Sequence, residues 1–194
     1  MTTEKYPNWF ISGGAEKNFS THLSKFKDQK VDFLQLGAYT GDATKWLFEN
    51  ILTHSESTLT DVDTWEGSDE VAHKDMDWSS VEETYNLKNK EWLDSGRIIK
   101  MKMTTDEFFS SNHKQFEFVY VDADHTAISA LKDGIGGYDC LKINGVLGFD
   151  DYRWGLDLPV KDRPMAGIDA FRVAHWNKTA LLEANLQVWL KKIS

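Results

Sequence analysis

The run Val31-Asp32-Phe33-Leu34-Gln35-Leu36-Gly37-Ala38-Tyr39-Thr40-Gly41 decides the fold. Its first six residues read as a short apolar strand that stops at Gly37. The helix that follows carries Ala43, Trp46, Leu47 and Ile51 on its inner side. A strand, a glycine turn and then a helix form the opening unit of a parallel α/β sheet.

The same pattern continues along the chain. Strands are predicted at Ser57–Asp63, Arg97–Met103, Phe116–Val121 and Gly145–Phe149. Between them, helices are predicted from about Val81 to Leu93 and over the residues Ile128, Leu131, Ile135, Tyr138 and Leu141, the latter weakened by Gly134, Gly136 and Gly137. A helix at residues 15–28 comes first, and another follows Pro164 with Ile168 and Phe171. Strands at about 179–184 and 186–193 are parted only by Asn185, too short a link for a parallel crossover. The expectation is one α/β domain with a mostly parallel seven-stranded sheet, helices on both faces and an antiparallel closing pair. Residues 1–30 form a helical extension, and the polar stretch Glu66–Ser80 reads as a loop or lid.

Composition limits the function classes. The chain has 194 residues, 41 % hydrophobic and 27 % charged, enough for a core without disulfides. Its single cysteine, Cys140, excludes an internal disulfide and a multi-cysteine zinc site. No apolar run approaches the roughly 20 residues of a membrane span, and MTTEKYPNWF lacks the order of a signal peptide. A cytoplasmic protein is expected. With 31 acidic against 22 basic residues, the net charge of −9 opposes nucleic acid as a partner. Lys25, Lys27 and Lys30 alternate with Asp28 as ordinary solvated charge. A small-molecule ligand is expected, with no membrane partner and a homo-oligomer left open.

In an open parallel sheet, ligands bind beyond the carboxyl ends of the strands. Gly37 and Gly41 stand there at the start of a helix, where free N–H groups and a positive dipole favour an approaching ligand. Asp63 ends the second strand, placed to accept bonds from ribose hydroxyls, or else to serve as a loop carboxylate. Tyr39 fills the second glycine position of the dinucleotide fingerprint and would crowd a pyrophosphate. Asp122, Asp124 and His125 follow the fourth strand, and Asp150 and Asp151 follow the fifth. Asp122, Asp150 and Asp151 suit a hard cation, Mg²⁺ or Ca²⁺. His125 suits a general base, and Asp124 suits a helix cap.

The segments FLQLGAYTGDATKWLFENILTH, TDVDTWEGSDE, FEFVYVDADHTAISAL, INGVLGFDDYRWG, RPMAGIDAF and LQVWLKKIS, in that order, resemble the class I S-adenosylmethionine-dependent methyltransferases. Among these the chain is most similar to the small O-methyltransferase-like group, methyltransferase family 24. The resemblance implies a Rossmann-like fold and methyl transfer from S-adenosylmethionine to a small acceptor, at oxygen. It implies that Gly37, Tyr39, Thr40 and Gly41 pass under the methionine part of the cofactor and that Gln35 stands where an acidic residue contacts its amino group. Asp63 would hold the ribose, with Thr64 and Trp65 beside the adenosine and Thr104 and Thr105 near adenine. Asp122 would border the cofactor and take part in catalysis with His125 as base. Asp122, Asp150 and Asp151 fall where metal-dependent relatives hold a cation, although those relatives have Asp-Asn at the last two positions. Trp65, Trp78, Tyr152 and Trp154 are candidate walls for the acceptor. An NAD-dependent oxidoreductase and a non-catalytic cofactor-binding domain are the rival readings.

Overall fold

The computed structural model describes residues 5–68, 70 and 73–194. Within the expected loop Glu66–Ser80, residues 69, 71 and 72 lie outside the described residues, as do residues 1–4 of the N-terminal extension.

Seven strands form one sheet in the order β3-β2-β1-β4-β5-β7-β6. They are β1 Asp32–Leu36, β2 Thr58–Asp63, β3 Ile98–Lys102, β4 Phe116–Val121, β5 Leu141–Phe149, β6 Thr179–Ala184 and β7 Val188–Lys192. The first five are parallel, β7 runs antiparallel to β5, and β6 runs antiparallel to β7. This is the predicted Rossmann-like sheet with its closing antiparallel pair.

Strand periodicity divides the core in two. Phe33, Phe118 and Tyr120 pack on one face with Phe19, Leu47 and Trp189. Leu34, Leu36 and Val119 pack on the other with Phe149, Ile168 and Phe171. Because side chains alternate along a strand, an apolar run such as Phe33-Leu34 feeds both layers, the signature of a sheet covered on both sides.

The helices are α1 Trp9–Ser12, α2 Ala15–Leu23, α3 Asp42–Asn50, α4 Trp78–Lys88, α5 Lys90–Asp94, α6 Thr105–Ser111, α7 Ala127–Asp139 and α8 Met165–Ala174. Four details depart from expectation. The helix at 15–28 ends at Leu23, continuing as a 3-10 turn to Phe26. The helix at 81–93 is two helices that break at Asn89, whose side-chain amide donates to the Tyr85 and Gly41 carbonyls. Leu141 begins β5, paired with Phe116, rather than ending α7. Helix α6 was not anticipated, although Thr104 and Glu107 form a reciprocal capping box at its start.

The three glycines of α7 do not break it. A Cβ at Gly134 would lie 2.7 Å from Phe149, and one at Gly136 would lie 2.5 Å from Phe109. The missing side chains let α7 press onto the second core layer, offsetting its poor helix propensity.

Candidate active site

One cavity of about 1480 Å³ opens beyond the carboxyl ends of the parallel strands. That exceeds the roughly 300–1,000 Å³ of an ordinary ligand pocket, leaving room for two ligands side by side. Its walls come from the turn after β1, the ends of β2, β3 and β4, the start of α7, the loop after β5 and the arm around α1.

The turn after β1 is built by backbone packing. At Gly37, with φ +84°, a Cβ would fall 1.9 Å from the Asp122 carbonyl oxygen, so glycine alone lets the ends of β1 and β4 meet. Asp63 braces the same turn. Its Oδ2 accepts the Ala38 and Tyr39 N–H groups at 2.8 and 2.9 Å, and its Oδ1 accepts the Trp65 N–H at 2.7 Å. A carboxylate offers about four acceptor positions, so three are occupied and one remains for a ligand. Tyr39 and Asp151 both line the cavity with left-handed backbones, φ +48° and +54°, a strain that packed surroundings must hold in place.

Among the residues expected at a cofactor, Gln35, Gly37, Tyr39, Asp63, Thr64, Thr104 and Asp122 line the cavity, as does Thr105. Thr40, Gly41 and Trp65 stand behind the wall. Thr40 donates to Asp42, Gly41 packs on Asn89, and the buried Trp65 indole donates to the Tyr39 carbonyl. Trp78 and Trp154 border the cavity. Tyr152 instead packs on the second core layer and donates to Asp169.

Gln35 is only 2 % exposed, and its Oε1 has no hydrogen-bond partner. An acceptor left bare at a cavity wall costs free energy unless a ligand donor satisfies it. Together with the free position on Asp63, this fits a ligand that carries both an ammonium and hydroxyls.

His125 is the centre of the opposite wall. Its Nδ1 lies 2.8 Å from Glu70 Oε1, and its Nε2 lies 2.9 Å from Asp151 Oδ2 and 3.8 Å from Asp122 Oδ1. The Asp151 contact has ion-pair distance without hydrogen-bond alignment, since Nε2 has no aligned acceptor. Burial alone would lower the His125 pKa, but Asp122, Asp151 and Glu70 outweigh it and raise it well above the ordinary value. That direction favours the protonated ring, which has no lone pair with which to take a proton and so acts by orienting and donating rather than as the general base expected from the sequence. Burial and the neighbouring Asp150 charge raise Asp122 well above the usual carboxylate range, with His125 pulling the other way.

The expected cation set does not assemble. Asp150 lines the cavity as well, but its carboxylate is taken up by the Tyr120 hydroxyl, by Gln187 Nε2 at 2.9 Å and by the Asp151 N–H at 2.8 Å, all of which donate to it. The group whose ligand atoms converge is Asp122, His125 and Asp151, within 4.8 Å of one another. It offers two carboxylate oxygens and one imidazole nitrogen, with His125 in place of the expected Asp150. Asp124 does not cap α7 either. Thr126 does, and Asp124 accepts from its hydroxyl.

Aromatic rings close the mouth. Trp9 stacks on Tyr39 with centroids 4.5 Å apart, and Trp78 meets Tyr39 edge-on at 6.2 Å. Trp154 covers His125 at 4.9 Å.

With this geometry in place, the comparisons identify the class. A family model described as a methyltransferase domain matches residues 34–152. That is more than half of the chain, which belongs to this methyltransferase family, family 24, and is an enzyme of the methyltransferase class. No curated protein matches the chain in sequence. Solved structures share the fold at low identity. An O-methyltransferase from Bacillus cereus, in complex with SAH, aligns at 12 % identity and a TM-score of 0.64, covering 99 % of this chain and 84 % of that one. The O-methyltransferase TomG from Streptomyces achromogenes, in complex with SAM, aligns at 12 % and 0.60, covering 92 % and 78 %. An rRNA methylase from Streptococcus thermophilus aligns at 9 % and 0.62, covering 99 % and 100 %. No helix among the described residues is long and apolar enough to cross a membrane.

Proposed function

We propose that the protein transfers a methyl group from S-adenosylmethionine to a hydroxyl oxygen of a small molecule. The observation that carries this reading is the single cavity lined on one side by Gln35 and Asp63 and on the other by the Asp122–His125–Asp151 cluster. The first side suits an amino acid ammonium and a ribose. The second suits an acceptor that must lose a proton. Likeness to O-methyltransferases supports oxygen as the methylated atom. The net charge of −9 and the carboxylates around the cavity oppose a polyanion such as RNA, even though rRNA methylases share the fold.

Bound along Gln35 and Asp63, S-adenosylmethionine would supply an activated methyl for the acceptor oxygen, with the sulfur as leaving group. The protein's own part is alignment and proton removal. His125, held by Glu70 and Asp151, presents Nε2–H to the acceptor oxygen and orients it. Asp122, 3.8 Å from Nε2 and the more loosely engaged of the two carboxylates there, receives the hydroxyl proton in its ionised form, whose basicity its raised pKa increases. Trp154, over the imidazolium, shields the transfer from water.

The test is calorimetric titration with S-adenosylhomocysteine, with and without Mg²⁺ or Ca²⁺, followed by transfer of labelled methyl to a panel of phenols and alcohols. Micromolar binding indifferent to either ion, with turnover lost in Asp122→Asn, is expected. Stabilisation by NADH but not by S-adenosylhomocysteine would replace this reading with the oxidoreductase one.

A further inference from the structure

The acceptor side of the cavity holds a surplus of charge that methyl transfer itself does not require. Away from Gln35 and Asp63, the wall comes from the segment holding Glu70, the approach to α7 and the loop after β5. Besides Asp150, six carboxylates line it: Glu70, Asp122, Asp124, Asp151, Asp157 and Asp162. Among the described residues, Arg153 is the one lysine or arginine that lines the cavity. His125 is shared by Glu70, Asp122 and Asp151, so its single charge does not balance the three. Asp162 pairs with the exposed Lys161 at 3.0 Å, and Asp157 has no hydrogen-bond or ion-pair partner among the described residues. Burial, joined by repulsion from Asp150 and Asp151, raises Asp122, so the surplus is felt inside the wall. A cleft lined by one sign of charge concentrates ligands of the opposite sign.

A second observation fixes where such a ligand is held. His125 lines the cavity, and its Nε2 is buried without an aligned partner. A protonated ring bare at that nitrogen lacks an acceptor, which a ligand oxygen supplies. Trp154 lies with its ring centroid 4.9 Å from that of His125. Leu158 and Leu186 continue the same wall and remain 37 and 57 % exposed, apolar surface that nothing in the chain covers. An indole and two leucines suit a flat aromatic body. Asp157 and Asp162 stand on the loop that carries Trp154 and Leu158. The ligand that matches these groups has a hydroxyl oxygen, an aromatic frame and a cationic end.

Resting on the methyl-transfer reading above, we propose that the acceptor is a phenol carrying an alkylammonium arm, its hydroxyl held at His125 and Asp122 and its ammonium received by Asp157 and Asp162. A phenolic acid would bring its carboxylate against Asp157 and Asp162 with like charge, and like charges in an interface select against a partner. The sign of the wall thus sets acceptor specificity, while Gln35 and Asp63 serve the donor.

The experiment is calorimetric titration, under saturating S-adenosylhomocysteine, with three phenols of similar length: tyramine, para-propylphenol and para-hydroxyphenylpropionate. An apolar slot alone would favour para-propylphenol. Tyramine is expected to bind at least about fivefold tighter than para-propylphenol, with the propionate weakest. In Asp157→Asn/Asp162→Asn the tyramine preference falls below about twofold, because both loop charges are gone. A purely structural effect of the two changes would weaken all three phenols together and leave the ratio unaltered. Equal binding of tyramine and para-propylphenol, tightest binding of the propionate, or a ratio that the double variant does not alter overturns the proposal and leaves the donor reading standing. Binding of none of the three has the same consequence. Failure of S-adenosylhomocysteine to bind overturns the donor reading, and this inference with it. The natural-chain comparison decides the matter even where the double variant does not fold.

Discussion

Glu70 Oε1 lies 2.8 Å from His125 Nδ1, joining two segments 55 positions apart in sequence. The contact ties the loop between β2 and α4 to the segment entering α7, directly over the Asp122–Asp151 wall. One imidazolium thus serves both the closure of the cavity and the charge balance of its acidic side.

The pH dependence of stability follows from that pairing. The folded state raises the His125 pKa well above its unfolded value of 6.5, through Asp122, Asp151 and Glu70 acting against burial. The stabilisation is therefore complete below about pH 6.5 and declines as pH rises toward the folded pKa. Melting temperatures are expected to fall from pH 6.5 into the alkaline range, and His125→Gln is expected to flatten that part of the profile. A profile with the same alkaline slope in His125→Gln would contradict the role given to the ion pairs.

A second group acts in a lower window. Asp61 in β2 is fully buried, and burial raises its pKa to about 7, although the Tyr85 and Thr44 hydroxyls both donate to Oδ2. A raised carboxylate pKa stabilises the folded state at low pH, and that contribution drains away between pH 3.8 and about 7. A shift of this size corresponds to roughly 4 kcal/mol. Asp61→Asn keeps an acceptor for both hydroxyls and cannot ionise. It should melt higher than the natural chain at pH 8 and lose the slope between pH 4 and 7. Equal melting temperatures at pH 8 would show that Asp61 is not charged in the folded state there.

Much of the fold was legible because it rests on local periodicity. Phe116–Val121 is legible residue for residue, since five of its six residues are aromatic or β-branched strand-formers. Helix α6 was missed because its seven residues bury only Phe108, too little to make a periodic stripe. The Thr104–Glu107 capping box was the available signal. The fate of Asp150 was not legible at all. Its partner Gln187 lies 37 positions away and is itself held by Asn18, 169 positions from Gln187. Such long-range bonds leave no pattern in a linear sequence. Glu70 was hidden for the same reason, as one acid in a polar stretch.

Two glycines with similar positive φ separate conformational cost from steric cost. Gly14 has φ +75° with nothing within 4 Å of a Cβ, whereas Gly37 has φ +84° and the Asp122 carbonyl 1.9 Å away. Gly14→Ala should cost about 1 kcal/mol, the left-handed penalty alone. Gly37→Ala must also push β1 from β4, and should cost at least about 3 kcal/mol in urea unfolding. Equal losses would mean that the two strand ends part freely.

The Asp150 network can be examined without reference to any ligand. Tyr120→Phe removes one of three donors to a buried carboxylate and leaves the ring packed against Phe19 and Phe118. Gln187→Leu removes another donor, and it also strands the Asn18 amide and the Trp189 indole N–H, which both donate to Gln187 Oε1 at 2.8 and 2.9 Å. Tyr120→Phe is expected to cost about 1–2 kcal/mol. Gln187→Leu should cost more, since each buried group left without a partner adds its own desolvation penalty of about 1–3 kcal/mol. The double variant should cost less than the sum of the two, because both single changes weaken the hold on one carboxylate. Chemical unfolding of the three variants measures this directly. Strict additivity would mean that Asp150 is held independently by its partners, and that α2 has no energetic link to the floor of the cavity.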